Sequence, residues 1–235
     1  MDNERRNAVV IGVLFLIALI LNLIATEIFK PILNIPNYLA AVYPNKNLVI
    51  IGNLLNFICA IAMIFIPISL FPAAKKQNKN LAIGYIVFRA LEGILFIYMV
   101  VKTLTFISLS KAYLDAGTQA ASYLKSLGDS INTELHWTMV IYIIVFTLGG
   151  ITFYSLLYKS KLIPRFLSIW GFVAVVFLLS GAMLGLFSLG IFNHMPLMEG
   201  MVYFAPPIAL NELTLSIWLI VKGFDLKVID SNKTT

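Results

Sequence analysis

Charge is what this sequence has least of. Only 12% of its 235 residues are Asp, Glu, Lys or Arg, where an ordinary soluble domain carries about 25%. Cysteine occurs once, as Cys59 inside an apolar run. That excludes an intrachain disulfide and leaves the redox compartment unreadable; Cys59 reads as a small packing residue. Histidine occurs twice, and neither His136 nor His194 has a partner at metal-ligand or haem-ligand spacing. There is no P-loop, no G-x-S-x-G and no H-E-x-x-H. A Ser/His/Asp or Cys/His set cannot be assembled at one depth from the residues present. No catalytic residue, metal or cofactor is therefore assigned, and the reading leans away from an enzyme.

What the chain has in excess is apolar residues, 60% of the total, with a mean hydropathy of +0.92. A water-soluble fold of this length has nowhere to put that much apolar surface. Disorder, collagen, coiled coil and disulfide scaffold fail on the same arithmetic. A helix needs about 20 apolar residues to cross a hydrocarbon core about 30 Å thick. Six segments are long enough: Ala8–Phe29, Leu48–Leu70, Leu81–Val101, Leu135–Tyr158, Phe166–Phe187 and Met201–Val221. None alternates as a barrel strand would. The expected fold is all-α, a single polytopic membrane domain of six transmembrane helices.

A net charge of +6 would suggest nucleic acid in a soluble protein. Here the placement of the charges accounts for it. With the N-terminus inside, Arg5, Arg6, Lys75, Lys76, Lys79, Lys159, Lys161, Arg165, Lys222, Lys227 and Lys233 fall on one side, and Lys30, Lys46, Lys111 and Lys125 on the other. Eleven against four places both termini in the cytoplasm. The expected partner is the lipid bilayer of the plasma membrane, with no nucleic acid.

The first span is too long for a signal h-region and NLIATE offers no cleavage pattern, so it reads as a retained signal-anchor. The loop Lys30–Asn47, with Pro31, Pro36 and Pro44, is expected to be extended and turn-rich. Residues 110–130 carry Tyr113, Leu114, Ala120, Leu124 and Leu127 at near-helical spacing. This predicts a short extracytoplasmic helix in the interface plane, serving either as a lid or as an ordered connector. Glu134 is expected in the first turn of the fourth span, where a carboxylate suits the helix dipole, and Lys102 is expected to snorkel outward.

An ionised side chain at the bilayer centre costs about 2.5–3.5 kcal/mol on insertion scales. Three residues are placed there. Arg89 and Glu92 share one face of the third span at i, i+3, with Tyr85 on the same stripe. Glu212 lies at similar depth in the sixth span, sharing its face with Ser216, while Asn211 points about 100° away. One guanidinium can neutralise one carboxylate by paired hydrogen bonds, not two. In one reading the second carboxylate binds a proton or cation in a polar cavity. In the other, Arg89 and Glu92 are a buried packing pair with Glu212 as a third hydrogen-bonding member. Asn22, Asn53 and Asn56, in the outer halves of the first two spans, either line an aqueous entry or join helices by hydrogen bonds. Pro206 and Pro207 are expected to kink or break the sixth span one to two turns before Glu212.

Three stretches carry a family resemblance: Arg89-x-x-Glu92, LIPRFLSIWG at Leu162–Gly171, and PIALNELTLSIWLIVKGF at Pro207–Phe224. Together they resemble the bacterial membrane family known as domain of unknown function 4386, over nearly the whole chain. The resemblance implies a six-helix bacterial inner-membrane protein. It implies no activity, so Arg89, Glu92, Pro164, Arg165, Glu212 and Lys222 serve as markers only.

Midplane glutamates in both the third and the sixth span fit an inverted repeat of three plus three helices. The leading functional reading is transport or binding of a small solute, cation or proton through Arg89, Glu92 and Glu212. A non-catalytic membrane partner (immunity, sensor or assembly protein) and an intramembrane lipid-modifying enzyme are the rivals.

Overall fold

A computed structural model of the chain describes residues 3–187, 189 and 200–225. His194, Lys227, Lys233 and the rest of the 226–235 tail lie outside them. The long apolar runs all become helices: α1 (Asn3–Leu33), α2 (Tyr38–Val42), α3 (Lys46–Ala74), α4 (Lys79–Asp115), α5 (Thr118–Ser160), α6 (Arg165–Leu186) and α7 (Pro206–Val221), with a 3-10 turn at Met201–Tyr203 before α7. Among the described residues there is no strand. Five helices (α1, α3, α4, α5 and α6) are long and apolar enough to cross a membrane, and α7 is a shorter apolar helix. Large side chains such as Leu23, Ile94, Phe166 and Val173 stand exposed on their outer faces, as lipid contact requires. The protein is a multi-pass helical membrane protein.

The long helices close into a ring in chain order. α1 packs on α3, α3 on α4, α4 on α5, α5 on α6 and α6 on α7, and α7 returns to α1. Close approach is bought at a few glycines. A Cβ on Gly12 would stand 2.7 Å from the Ser216 carbonyl oxygen of α7, and one on Gly150 would stand 2.6 Å from Val175 of α6. Both ends of the described chain meet at one end of the ring, where the Arg5 guanidinium donates to the carbonyls of Leu219 (3.2 Å), Ile220 (2.7 Å) and Val221 (2.9 Å). These are carbonyls that the last turn of α7 leaves without intrahelical donors. At the same end Lys76 pairs with Glu4 at 3.0 Å.

Among the described residues three apolar clusters fill the ring. The largest runs from this terminal end to mid-depth and includes Phe15, Ile66, Tyr85, Phe153, Leu167 and Leu215, one from each of the six ring helices. The second lies at the distal end and joins Ile32, Tyr38, Val42, Val49, Phe106 and Leu109. The third, Cys59, Ala60, Met63 and Phe96, packs α3 against α4.

Three expectations need correction. The 110–130 segment is not a separate helix in the interface plane: Ser110–Asp115 prolongs α4, the chain turns at Ala116–Gly117, and Thr118 begins α5. At about 1.5 Å per residue the 37 residues of α4 and 43 of α5 outlast a bilayer core, so their distal ends pack on each other and on α2 instead of lying flat. The Lys30–Asn47 loop is not extended; α1 runs through Pro31, and α2 folds onto α4, with the Tyr43 backbone N–H donating to Ser110 Oγ at 2.8 Å. Glu134 lies well inside α5, where it pairs with Lys102 at 2.9 Å and accepts from Tyr98, so Lys102 is paired between helices. The expected interruption of the sixth span is present as a break, not a kink: the Met201–Val221 run is a 3-10 turn at Met201–Tyr203 followed by a helix that Pro206 starts, since the first helical position needs no N–H.

Candidate functional site

Arg89 and Glu92 on α4 face Glu212 on α7, a helix that is not among the ring neighbours of α4. Their side chains meet across the interior. Arg89 is 4% exposed and Glu92 fully buried. Arg89 Nη1 donates to both Glu92 oxygens, at 2.9 and 3.1 Å, and Arg89 Nε donates to the Tyr85 hydroxyl at 3.0 Å. The Tyr142 hydroxyl donates to Glu92 Oε1 at 3.4 Å. The guanidinium also lies over the rings of Phe15, Tyr85 and Phe146, 5.4 to 5.8 Å from their centroids.

Glu212 is held differently. Its only ion pair among the described residues is Arg89 Nη2 to Oε1 at 3.8 Å, beyond hydrogen-bond length. Its side chain is 18% exposed and lines a cavity of about 100 Å³ with Arg89, Tyr142, Cys59 and Asn22. Glu92 is not in that lining. One cation thus faces two carboxylates, and the loosely held one opens to the cavity.

A second cavity, of about 430 Å³, lies on the distal side. Asn22, Asn53, Asn56, Thr103, Asn132 and His136 contribute its polar lining. Asn22 and Phe96 belong to both cavities, so the two adjoin. Asn53 donates through Nδ2 to its own helix at Val49 (2.8 Å), while the buried Oδ1 atoms of Asn53 and Asn56 have no hydrogen-bond partner among the described residues. An acceptor left so in a protein interior is costly unless something polar reaches it.

A family model, described as domain of unknown function (DUF4386), matches residues 10–223. The chain belongs to the DUF4386 family. No curated protein and no solved structure matches it. The stretch shared with the DUF4386 family includes Arg89, Glu92 and Glu212 and both cavities.

Of the residues singled out in the sequence, Arg89, Glu92, Glu212 and Tyr85 come together, and Asn22, Asn53 and Asn56 line the distal cavity. Ser216 does not join them. Its hydroxyl donates to the Glu212 carbonyl at 2.6 Å, and it is fully buried where Gly12 brings α1 against α7. Tyr142, Cys59, Phe15 and Phe146 complete the centre without having been expected there. An aromatic ring inside an apolar span carries no mark that tells an inward face from a lipid-facing one. Asn211 does point away from Glu212, accepting from the Tyr154 hydroxyl at 2.8 Å and donating to the Leu167 carbonyl at 3.0 Å.

Proposed function

We propose that this DUF4386 protein moves or binds a small solute or cation, coupled to protons or ions, along a path from the distal cavity to Glu212. In this reading six helices cross the plasma membrane (the inner membrane of a bacterium) with both termini cytoplasmic. The bias of eleven basic residues against four supports the orientation, and the meeting of Arg5 with the last turn of α7 supports an even number of crossings.

The observation that carries the proposal is the asymmetry of the charged centre. Glu92 takes both hydrogen bonds of Arg89 Nη1, and Glu212 is left with a 3.8 Å contact and a cavity. A carboxylate in that position exchanges a proton or a cation without dismantling the Arg89–Glu92 pair. The distal cavity supplies the approach, its amides offering hydrogen bonds to a polar solute or to water in transit.

The test is proton flux in proteoliposomes holding a pH-sensitive dye. An imposed pH gradient should collapse faster through wild-type protein than through empty vesicles, and Glu212→Gln should return the rate to the empty-vesicle level. Wild-type vesicles no leakier than empty ones, with sodium and potassium gradients equally unaffected, would remove the transport reading. Equal rates for wild type and Glu212→Gln would remove Glu212 from the path.

A further inference from the structure

The terminal end of the ring holds a basic recess that the charged centre does not use. α5 ends at Ser160 and is capped by Lys161 in a left-handed conformation (φ 54°), and α6 begins at Arg165 with no side-chain cap on its first amides. The Asp225 backbone N–H donates to the Leu162 carbonyl at 2.9 Å, folding the chain after α7 against this turn. Between them is a cavity of about 440 Å³ whose charged lining is Lys161, Arg165, Lys222 and Asp225. None of its three cations has a carboxylate within 4.0 Å among the described residues. Arg5, committed to the α7 carbonyls, borders the same recess beside Gly223.

The recess adjoins an apolar groove. The Arg165 guanidinium lies over the Tyr158 ring, 5.4 Å from its centroid, and Tyr158 lines a cavity of about 250 Å³ between α5 and α6. Phe172 and Val173, both exposed on the outer face of α6, line it together with Lys159. Ser168, in the same lining, has a buried hydroxyl with no partner among the described residues. It lies three residues past Arg165, about 4.5 Å deeper along the helix.

A cationic recess, then a hydroxyl donor, then an apolar slot facing lipid is the order of groups in a phospholipid: phosphate, ester carbonyl, acyl chain. We propose that this face binds one anionic phospholipid. Its phosphate sits among Lys161, Arg165 and Lys222 at the start of α6, an ester carbonyl accepts from Ser168 Oγ, and an acyl chain lies in the α5–α6 groove. A zwitterionic headgroup would bring its own cation among three others, so an uncharged glycerol headgroup is the better fit.

The experiment is native mass spectrometry of the full-length protein in detergent, titrated with dioleoyl phosphatidylglycerol or dioleoyl phosphatidylcholine. Wild type should retain one phosphatidylglycerol at about tenfold lower concentration than phosphatidylcholine. The surface variant R165Q/K222Q should lose that preference with an unchanged melting temperature. Val173→Trp, which fills the groove, should weaken phosphatidylglycerol retention and leave the weak binding of inorganic phosphate as it was. Equal retention of the two lipids by wild type, or a preference that survives R165Q/K222Q, would overturn the proposal. So would displacement of the lipid by inorganic phosphate at equal concentration, which would make the recess a free-anion site.

Discussion

The α4 side and the α7 side of the charged centre use one residue type in opposite ways. On α4, Glu92 is sealed, takes both hydrogen bonds from Arg89 Nη1 and accepts a third from Tyr142. On α7, Glu212 makes one long contact to the same guanidinium and keeps part of its surface on a cavity. The α4 pair lies within one helix, so it forms whenever that helix does. The α7 carboxylate depends on how two opposite members of the ring are set. The lesson is that depth in a membrane does not by itself assign a role to an ionisable group; its share of the available donors does.

That contrast can be broken by substitution. Glu92→Ala leaves a buried guanidinium with only its hydrogen bond to Tyr85 and its 3.8 Å contact to Glu212 as polar partners among the described residues; it should destabilise the protein by about 3–5 kcal/mol, seen as a large fall in thermal midpoint in detergent. Next comes Asn211→Leu, which removes two buried hydrogen bonds and leaves the Tyr154 hydroxyl unpaired. It should cost about 1–3 kcal/mol, showing that the structural polar anchor of α7 is Asn211 and not its neighbour. Glu212→Gln should change stability by no more than about 1 kcal/mol. A loss as large as that of Glu92→Ala would erase the distinction between the two sides.

The smallest effect concerns a half-exposed carboxylate near the distal end of α5, before the proposed fourth span begins. A hydrogen bond from Lys125, helped by one from Tyr38, holds Asp129 below the usual carboxylate range. Its folded state therefore binds fewer protons than the unfolded chain at mildly acid pH. The stability it contributes is present above the ordinary Asp value of about 3.9 and is lost as pH falls below it. Asp129→Asn should flatten the thermal midpoint slightly between pH 5 and pH 3, against a steeper fall in wild type.

How much of this was legible beforehand differs by residue. Arg89 and Glu92 announce themselves, because charges are rare in apolar helices and i, i+3 spacing settles which face they share. Glu212 could be matched to them by depth alone, since two helices entering from opposite sides place similar residue counts at similar levels. The carboxylates' division of labour could not be read, because it is set by Tyr142 and by the cavity, which are products of packing. The 110–130 segment misled for a definable reason. The spacing of Tyr113, Leu124 and Leu127 suits a helix lying on a bilayer and equally suits two helices projecting from it, and only the turn at Ala116–Gly117 separates the cases. Pro206 was similarly two-sided, since the chemistry that interrupts a helix also opens one.

Arg5 gives the ring an order of assembly. The guanidinium that closes it stands in the first turns of α1, and its acceptors belong to the final turn of α7. During synthesis the first helix must therefore wait beside α3, its α7-facing flank uncovered, until α7 emerges. The Arg89–Glu92 pair can form while that seam is open, but Glu212 arrives last, so the second acidic group joins its cation in the same event that seals the bundle.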